Sequence, residues 1–185
     1  EASQHVYLSE EELDRLKEVK VSNNVEEYVK RSFLLGCYIG ARHSDFQALV
    51  IGNIQGNMIT YVSQKTGIEV KVPVSTYVKD TLMDGILELS VSDVTYNTIL
   101  RRLCKRAGIM EIVTLYHRGK RKTQPKYKFV ASHTARRSFC TNLYLRGLDL
   151  HLISKMAGHS SITMTEGYIC CGLREIPDCA KSFFE

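Results

Sequence analysis

The chain has 185 residues, of which 44% are hydrophobic, and its 25 Lys and Arg outnumber its 20 Asp and Glu for a net charge of +5. This profile is typical of one soluble globular domain and excludes a disordered or fibrous chain. No apolar run approaches about 18 residues, which excludes a membrane-spanning helix. The six cysteines lack zinc-binding spacing, so we expect reduced thiols in the cytoplasm.

The first predicted elements are helices. Ser9 and Glu12 form a capping box flanked by Leu8 and Leu13, which predicts a helix from about residue 10 to Val21. Further helices are expected from Asn24 to near Gly40 and, after the Arg42 connection, over a second capping box at residues 44–47.

Residues 53–74 change character, because Ile, Val, Thr and Tyr are concentrated between turn signals. This composition predicts a small antiparallel sheet. Lys65 falls at the second of its turns. Helical spacing returns over residues 76–87 and again from Ser92 to Gly108.

Residues 101–150 carry 13 basic and only two acidic side chains, which suggests a polyanionic partner. Within this block, residues 109–130 read as irregular or strand-like, either a mobile loop or a hairpin that faces nucleic acid. We expect phosphate contacts from six basic side chains. They are Lys120, Arg121, Lys122, Lys126, Lys128 and, with a further contact to backbone or a carboxylate, Arg137.

The remaining helices are expected over residues 133–147, 149–158 and 161–170. The tail after Pro177 is amphipathic. Tyr28, Phe33, Phe139 and Leu143 have the spacing of core residues.

Nucleotide- and metal-binding motifs are absent from the sequence. There is no GxxxxGK[ST], no GxGxxG and no acidic cluster spaced for two metal ions, so we predict no cofactor and no metal. What remains is a set of Arg, Lys, His and Tyr residues in short polar connections. Each residue alone is weak evidence for a catalytic site, since a His at a helix start is commonly a cap and a Tyr beside Ile commonly packs in the interior.

Five spaced elements together resemble the catalytic domain of the tyrosine recombinases, or phage-type integrases. They are Gly40-Ala-Arg-His-Ser-Asp45, Lys65-Thr-Gly67, His133-Thr-Ala-Arg136, Gly158-His159 and Tyr168. HTARRSFCTNLYLRG and LISKMAGHSS are especially similar to integrases of conjugative elements and bacteriophages. The match runs from about Leu8 to Tyr168. It implies a mainly α fold with a small antiparallel β-sheet and catalytic residues Arg42, Lys65, His133, Arg136, His159 and Tyr168.

The chemistry of these residue types fits DNA strand transfer. A phosphodiester under attack gathers negative charge, which Arg42 and Arg136 can meet with permanent cations. Tyr168 is the predicted nucleophile, with His133 as the preferred proton acceptor and His159 donating to the phosphate. Lys65 is the candidate general acid for the departing sugar oxygen.

The resemblance also implies double-stranded DNA as partner, a 3′-phosphotyrosyl intermediate, and a homo-tetramer in the synaptic complex, with the isolated domain monomeric. We expect residues 1–185 to be one catalytic domain of a longer bacterial cytoplasmic protein, associated with the nucleoid when bound to DNA. The chain starts at Glu1 instead of Met, and an upstream core-binding domain is expected outside it. Residues 171–185, with Phe183 and Phe184, are either a tail that docks on a neighbouring copy or a helix folded on its own domain.

Two alternative functions stay open at this point. One is a DNA-binding module of the same fold without cleavage activity. The other is a nicking and closing enzyme similar to type IB topoisomerases, which uses the same residues without strand exchange.

Overall fold

The computed structural model describes residues 5–46, 49–85, 89–117 and 119–171, which form a mainly helical fold with small antiparallel sheets. The helices are α1 (Glu10–Lys17), α2 (Asn24–Ile39), α3 (His43–Phe46), α4 (Thr76–Met83), α5 (Asp93–Arg106), α6 (Thr134–Leu145), α7 (Leu150–Ala157) and α8 (Ile162–Glu166). The strands are β1 (Ile54–Gln55), β2 (Met58–Val62), β3 (Glu69–Pro73), β4 (Ile112–His117) and β5 (Lys120–Pro125). The predicted fold class is therefore confirmed. No helix among the described residues is long and apolar enough to cross a membrane.

Helix α1 begins at the predicted capping box. The Ser9 hydroxyl accepts from the Glu12 N–H at 3.2 Å, and the Glu12 carboxylate accepts from the Ser9 N–H at 2.9 Å. Leu8 and Leu13 are both buried beside this cap. The helix ends at Lys17, earlier than the predicted end at Val21. The prediction ran too far because the buried Val19 continues the apolar spacing beyond the last helical turn.

Helix α2 ends where it meets α6. Gly40 has φ +73°, and a Cβ atom there would lie 2.4 Å from Cδ1 of Phe139. Only glycine fits both this backbone conformation and this close approach. The contact fixes the connection that carries Arg42 beside α6.

The short helix α3 begins one residue before the predicted cap at Ser44. The Asp45 N–H donates to the carbonyl of Arg42 at 2.8 Å, so the first turn starts from the connection itself. Ser44 therefore lies inside the helix. Gln47, the other half of the predicted capping box, lies outside the described residues.

Strands β1, β2 and β3 form the predicted antiparallel sheet. In its register Ile59 faces Val72 and Tyr61 faces Val70, and all four side chains are buried. The turn after β2 is closed by a bond from the Ser63 N–H to the carbonyl of Ile68 at 2.9 Å. This turn carries Lys65 at the surface.

Strands β4 and β5 form a hairpin, which confirms the strand-like alternative for this segment. Thr114 and Thr123 face each other across it, with their hydroxyl oxygens 2.8 Å apart. Leu115 is buried and anchors the hairpin to the core.

Helix α2 is central to the packing. Among the described residues, its side chains Phe33 and Leu34 join a buried cluster with α1 and α5, whereas Leu35 and Ile39 join one with the sheet, α6 and α7. Tyr28, Phe33 and Phe139 are buried and Leu143 packs at the edge of the second cluster, as the sequence predicts. Because α2 packs against both clusters, the position of its C-terminal end, just before Arg42, is fixed.

An ion pair between Glu26 and Arg106 joins α2 to α5. The guanidinium donates to both carboxylate oxygens at 2.8 and 2.7 Å, and Glu26 also accepts from the Ser22 N–H at 3.0 Å. The hydrogen bonds from Arg106 are the main cause that lowers the pKa of Glu26 to about 2 from 4.5. Since the Arg106 side chain is 36% exposed, solvent screens part of the interaction.

This pair predicts a pH-dependent stability. A depressed carboxylate pKa stabilises the fold above the unfolded value, so the free energy of unfolding should fall as the pH drops from about 4.5 towards about 2. Urea denaturation at several pH values measures this slope. Glu26→Gln should flatten the dependence over that range, whereas Glu69→Gln, at an exposed strand position, should leave it steep.

Candidate active site

Arg136 is buried on α6, 3% exposed, and its guanidinium is held by three acceptors. Its two terminal nitrogens donate to the carbonyls of Gly40, at 2.7 Å, and of Ala157. Its Nε donates to Nε2 of His159 at 3.2 Å. Burial lowers the pKa of Arg136, and the nearby positive charge of Arg42 adds to this effect. Three of its five N–H groups are thus occupied.

His159 follows the end of α7. Helix α7 is capped by Gly158, with φ +62°, where a Cβ atom would lie 2.7 Å from Cγ2 of Val70. The imidazole of His159 is buried, with Nδ1 2.9 Å from the hydroxyl of Thr165. Burial, and after it the charges of Arg136 and Arg42, lower the pKa of His159 to about 3. The ring is therefore neutral at pH 7.

Tyr168 follows α8, and its half-buried ring lies against the side chains of His159, Arg136 and Arg137. It stacks on His159 with ring centroids 4.8 Å apart and an interplanar angle of 27°. The Cζ atoms of Arg136 and Arg137 lie 5.3 and 5.2 Å from its centroid. Both arginines therefore make cation–π contacts with the Tyr168 ring.

Arg42 lies in the connection between α2 and α3. It donates to the Ser63 hydroxyl at 2.9 Å, and Ser63 in turn contacts the carboxylate of Asp45 at 3.4 Å. Asp45 also accepts from the N–H of Gln64 at 3.0 Å. These bonds attach the turn that carries Lys65 to the arginine connection.

Lys65 and His133 lie at the margins of this cluster. Lys65 is exposed, and in the part of the chain that the structure describes its Nζ has no hydrogen bond or ion pair. His133 is exposed at the N-terminal end of α6, one turn before Arg136. Burial lowers the pKa of His43, and the nearby His133 adds to this lowering, so these two histidines lie close together. The structure thus brings together Arg42, Arg136, His159 and Tyr168, and records no contact of either margin residue with Tyr168.

The predicted DNA-binding side chains differ in their exposure. Lys120, Arg121, Lys122 and Lys128 are all exposed. Lys126 departs from the expectation of a surface cation, because its Nζ is buried and lies 2.7 Å from the carboxylate of Glu12. Arg118, in the same segment, lies outside the described residues.

Arg137 contacts the segment that carries the tyrosine. Besides its position over the Tyr168 ring, it donates to the carbonyl of Gly167 at 3.0 Å, which confirms the predicted backbone contact. The predicted tail over residues 171–185 lies outside the described residues from residue 172 onward.

The sequence did not single out Thr165 or Ser63. The hydroxyl of Ser63 accepts a hydrogen bond from Arg42, and that of Thr165 lies beside His159. Both contacts depend on the turns that place separate elements together, and neither residue belongs to a sequence motif. Among the described residues, no three His, Cys, Asp or Glu side chains come together as a possible metal-binding group.

The sequence of the chain is similar to that of a known family and its members. The sequence model of the Phage integrase family matches residues 6–170. Tyrosine recombinase XerD of Oceanobacillus iheyensis is 27% identical over 192 residues, covering 95% of this chain and 61% of the relative. The same-named protein of Staphylococcus haemolyticus is 32% identical over 93 residues, covering 50% of this chain and 30% of the relative. The chain therefore spans less than two thirds of these relatives.

Solved structures share the fold. The catalytic domain of bacteriophage HP1 integrase has a TM-score of 0.59 at 22% identity, covering 89% of this chain and 86% of that one. XerH site-specific recombinase, bound to palindromic difH substrate in a post-cleavage complex, has a TM-score of 0.64 at 16% identity, covering 97% and 53%. A lambda integrase dimer bound to a COC′ core site has a TM-score of 0.62 at 19% identity, covering 95% and 63%.

Proposed function

Because the chain belongs to the phage integrase family of tyrosine recombinases, we propose that it cleaves and rejoins DNA strands through a covalent phosphotyrosyl intermediate. The observation that supports this most directly is the convergence of two arginines, a histidine and a tyrosine from four segments that are distant in sequence. They are Arg42, Arg136, His159 and Tyr168.

The charges of this cluster suit a phosphodiester. Negative charge grows on the nonbridging oxygens during attack, and positively charged groups that are already in place stabilise it best. Arg136 is held by two backbone carbonyls and Arg42 by Ser63, so neither guanidinium has to be ordered during the reaction. The N–H groups that these contacts leave over are available to a phosphate.

In the proposed reaction the phenol oxygen of Tyr168 attacks phosphorus, and the bond from phosphorus to the 5′ oxygen breaks. The phenol proton passes to His133, and Lys65 gives a proton to the departing 5′ oxygen. The product is a 3′-phosphotyrosyl bond and a free 5′-hydroxyl. Attack on that bond by the 5′-hydroxyl of another strand exchanges strands without an external source of energy.

The β4–β5 hairpin and the residues after it form the proposed contact with the DNA backbone. Four exposed cations there, Lys120, Arg121, Lys122 and Lys128, can bind phosphates without reading sequence. The XerH structure is bound to its difH substrate, the lambda integrase structure to a COC′ core site, and a Tn1549 transposon integrase to circular intermediate DNA, which supports double-stranded DNA as the partner of this chain too. Arg137 joins this contact only if it leaves Gly167, and Lys126 is left out because it is buried.

The chain spans 61% of the XerD relative from Oceanobacillus. The activity of the whole protein, including a core-binding domain before residue 1 and a synaptic tetramer on DNA, therefore belongs to the proposal. The same holds for the tail over residues 171–185, which either docks on a neighbouring copy or folds on its own domain.

The proposal is tested by trapping the intermediate. The 185-residue chain is incubated in EDTA with a pool of nicked duplexes randomised around the nick, so that cleavage releases a short fragment and prevents resealing. We expect a denaturation-resistant adduct in which mass spectrometry finds the nucleotide on Tyr168. Tyr168→Phe should give none, and Tyr116→Phe, at an exposed hairpin tyrosine, should match the wild type.

Each alternative has its own outcome. Duplex binding without any adduct, equal in wild type and Tyr168→Phe, would contradict cleavage and leave a DNA-binding module. When the released fragment is added back, an adduct that rejoins this fragment but never joins a second duplex offering a free 5′-hydroxyl would indicate an activity similar to that of type IB topoisomerases.

A further inference from the structure

The hydrogen bonds of His159 determine which of its ring nitrogens carries the proton. Nε2 lies 3.2 Å from the Nε of Arg136, and Nδ1 lies 2.9 Å from the hydroxyl oxygen of Thr165. A guanidinium has donors and no acceptor, so Nε2 must accept with its lone pair. The proton of the neutral imidazole then lies on Nδ1 and is donated to Thr165.

Thr165 is well placed to accept this proton. It is 0% exposed, so bulk water does not compete for its hydroxyl oxygen beside Nδ1. A charged imidazole would need to donate from both nitrogens, which the Arg136 contact forbids. The pKa of His159, lowered to about 3 chiefly by burial, agrees with a neutral ring.

This tautomer conflicts with a donor role for His159 towards a phosphate. With a bare Nε2, the neutral ring can only accept at the position that faces Arg136. A phosphate oxygen is itself an acceptor, so it cannot bond to that nitrogen until the proton moves. Some group must therefore tolerate both positions of the proton.

We propose that Thr165 is a positioning residue that keeps Nδ1 of His159 hydrogen-bonded in either tautomer, and so allows the tautomer to reverse when a phosphate enters the site. A hydroxyl can both accept and donate, so Thr165 accepts from Nδ1–H in the free chain and donates to a bare Nδ1 when Nε2 is protonated. One proton leaves Nδ1 for solvent and one joins Nε2 from solvent, so the charge of the ring does not change. The proposal rests on the proposed function, since it takes phosphate as the acceptor that replaces Nε2 of His159 for the Nε–H of Arg136, while the bonds of Arg136 to Gly40 and Ala157 remain.

The tautomer can be observed without activity, because protonated and bare imidazole nitrogens have well-separated ¹⁵N chemical shifts. In the free 185-residue chain at pH 7 we expect His159 with a protonated Nδ1 and a bare Nε2, assigned by loss of the signals in His159→Asn. Saturating dimethyl phosphate, a diester anion that has no O–H to donate to Nε2, should reverse the two. Thr165→Ser should behave as the wild type. Thr165→Val, which keeps the shape and lacks the hydroxyl, should keep the protonated Nδ1 in the free chain, because Arg136 still donates to Nε2, but should show a shifted Nδ1 signal and no full reversal.

Thr163→Val, at an exposed position on the same helix, is the matched control. A proton on Nε2 in the free wild type would overturn the proposal, as would wild-type spectra for Thr165→Val with and without dimethyl phosphate. If dimethyl phosphate changes neither His159 nor the Nε signal of Arg136, the two-arginine phosphate site of the proposed function fails. The comparison of Thr165→Ser with Thr165→Val in the free chain still decides whether Thr165 accepts from Nδ1, because only the valine variant should shift the Nδ1 signal.

Discussion

Arg136→Lys is expected to lower the rate of covalent adduct formation at least about 10³-fold, in the range that loss of a transition-state arginine produces. A lysine ammonium can reach one or two of the acceptors around Arg136 but cannot match the planar arrangement of Gly40, Ala157 and His159. It also lacks the remaining N–H pair that the phosphate needs. The rate is measured by quantifying adduct over time on nicked duplexes.

Two companion variants keep this result interpretable. Arg42→Lys should also lower the rate strongly, and it changes a half-buried side chain with one recorded hydrogen bond, so the fold is less affected. Arg146→Lys, at an exposed ion pair with Glu10, should leave the rate unchanged. Thermal unfolding checks each protein. Normal adduct formation by a folded Arg136→Lys protein would contradict the proposed phosphate site.

Lys126→Ala is expected to destabilise the fold by about 3–5 kcal/mol, because it leaves a carboxylate buried without its cation. The two side chains of the Lys126–Glu12 pair are 10% and 9% exposed, so little water can replace the lost contact. The same carboxylate oxygen of Glu12 also accepts from the cap of α1, which couples the pair to the start of that helix. Urea denaturation gives the free energy of unfolding.

Lys128→Ala is the matched control, two residues further along and exposed, with an expected change within about 0.5 kcal/mol. For DNA binding we expect the reverse order of effects. Lys128→Ala should weaken binding and reduce its salt dependence, whereas Lys126→Met, in a folded protein, should change neither. Equal free energies of unfolding for the two alanine variants would contradict a structural role for Lys126.

The sequence was most informative where a structure depends on neighbouring residues. The capping box at Ser9, the end of α2 at Gly40 and the start of the sheet are local features, and each was predicted close to its observed position. That Arg42, Arg136, His159 and Tyr168 belong to one site was predicted from five spaced motifs considered together. The catalytic roles assigned to these residues, and to Lys65 and His133, stay predictions.

What the sequence could not provide depends on contacts between distant segments. Lys126 looked the same as its basic neighbours, and only the approach of Glu12, 114 residues earlier, makes it part of the interior. Thr165 likewise has no signal of its own, because its role comes from the turn that places α8 beside His159. A charge count can locate a basic segment, but it cannot tell an exposed cation from a buried one.

The attachment of Arg136 to main-chain oxygens has a consequence for divergence within the family. Gly40 and Ala157 stand at the C-terminal ends of α2 and α7, where the partial negative charge of a helix macrodipole is greatest and carbonyls lack intrahelical partners. Backbone carbonyls survive almost any side-chain replacement. Homologues can therefore differ at most side chains and still bind this guanidinium through the same two carbonyls, as long as the two helices end at the same points.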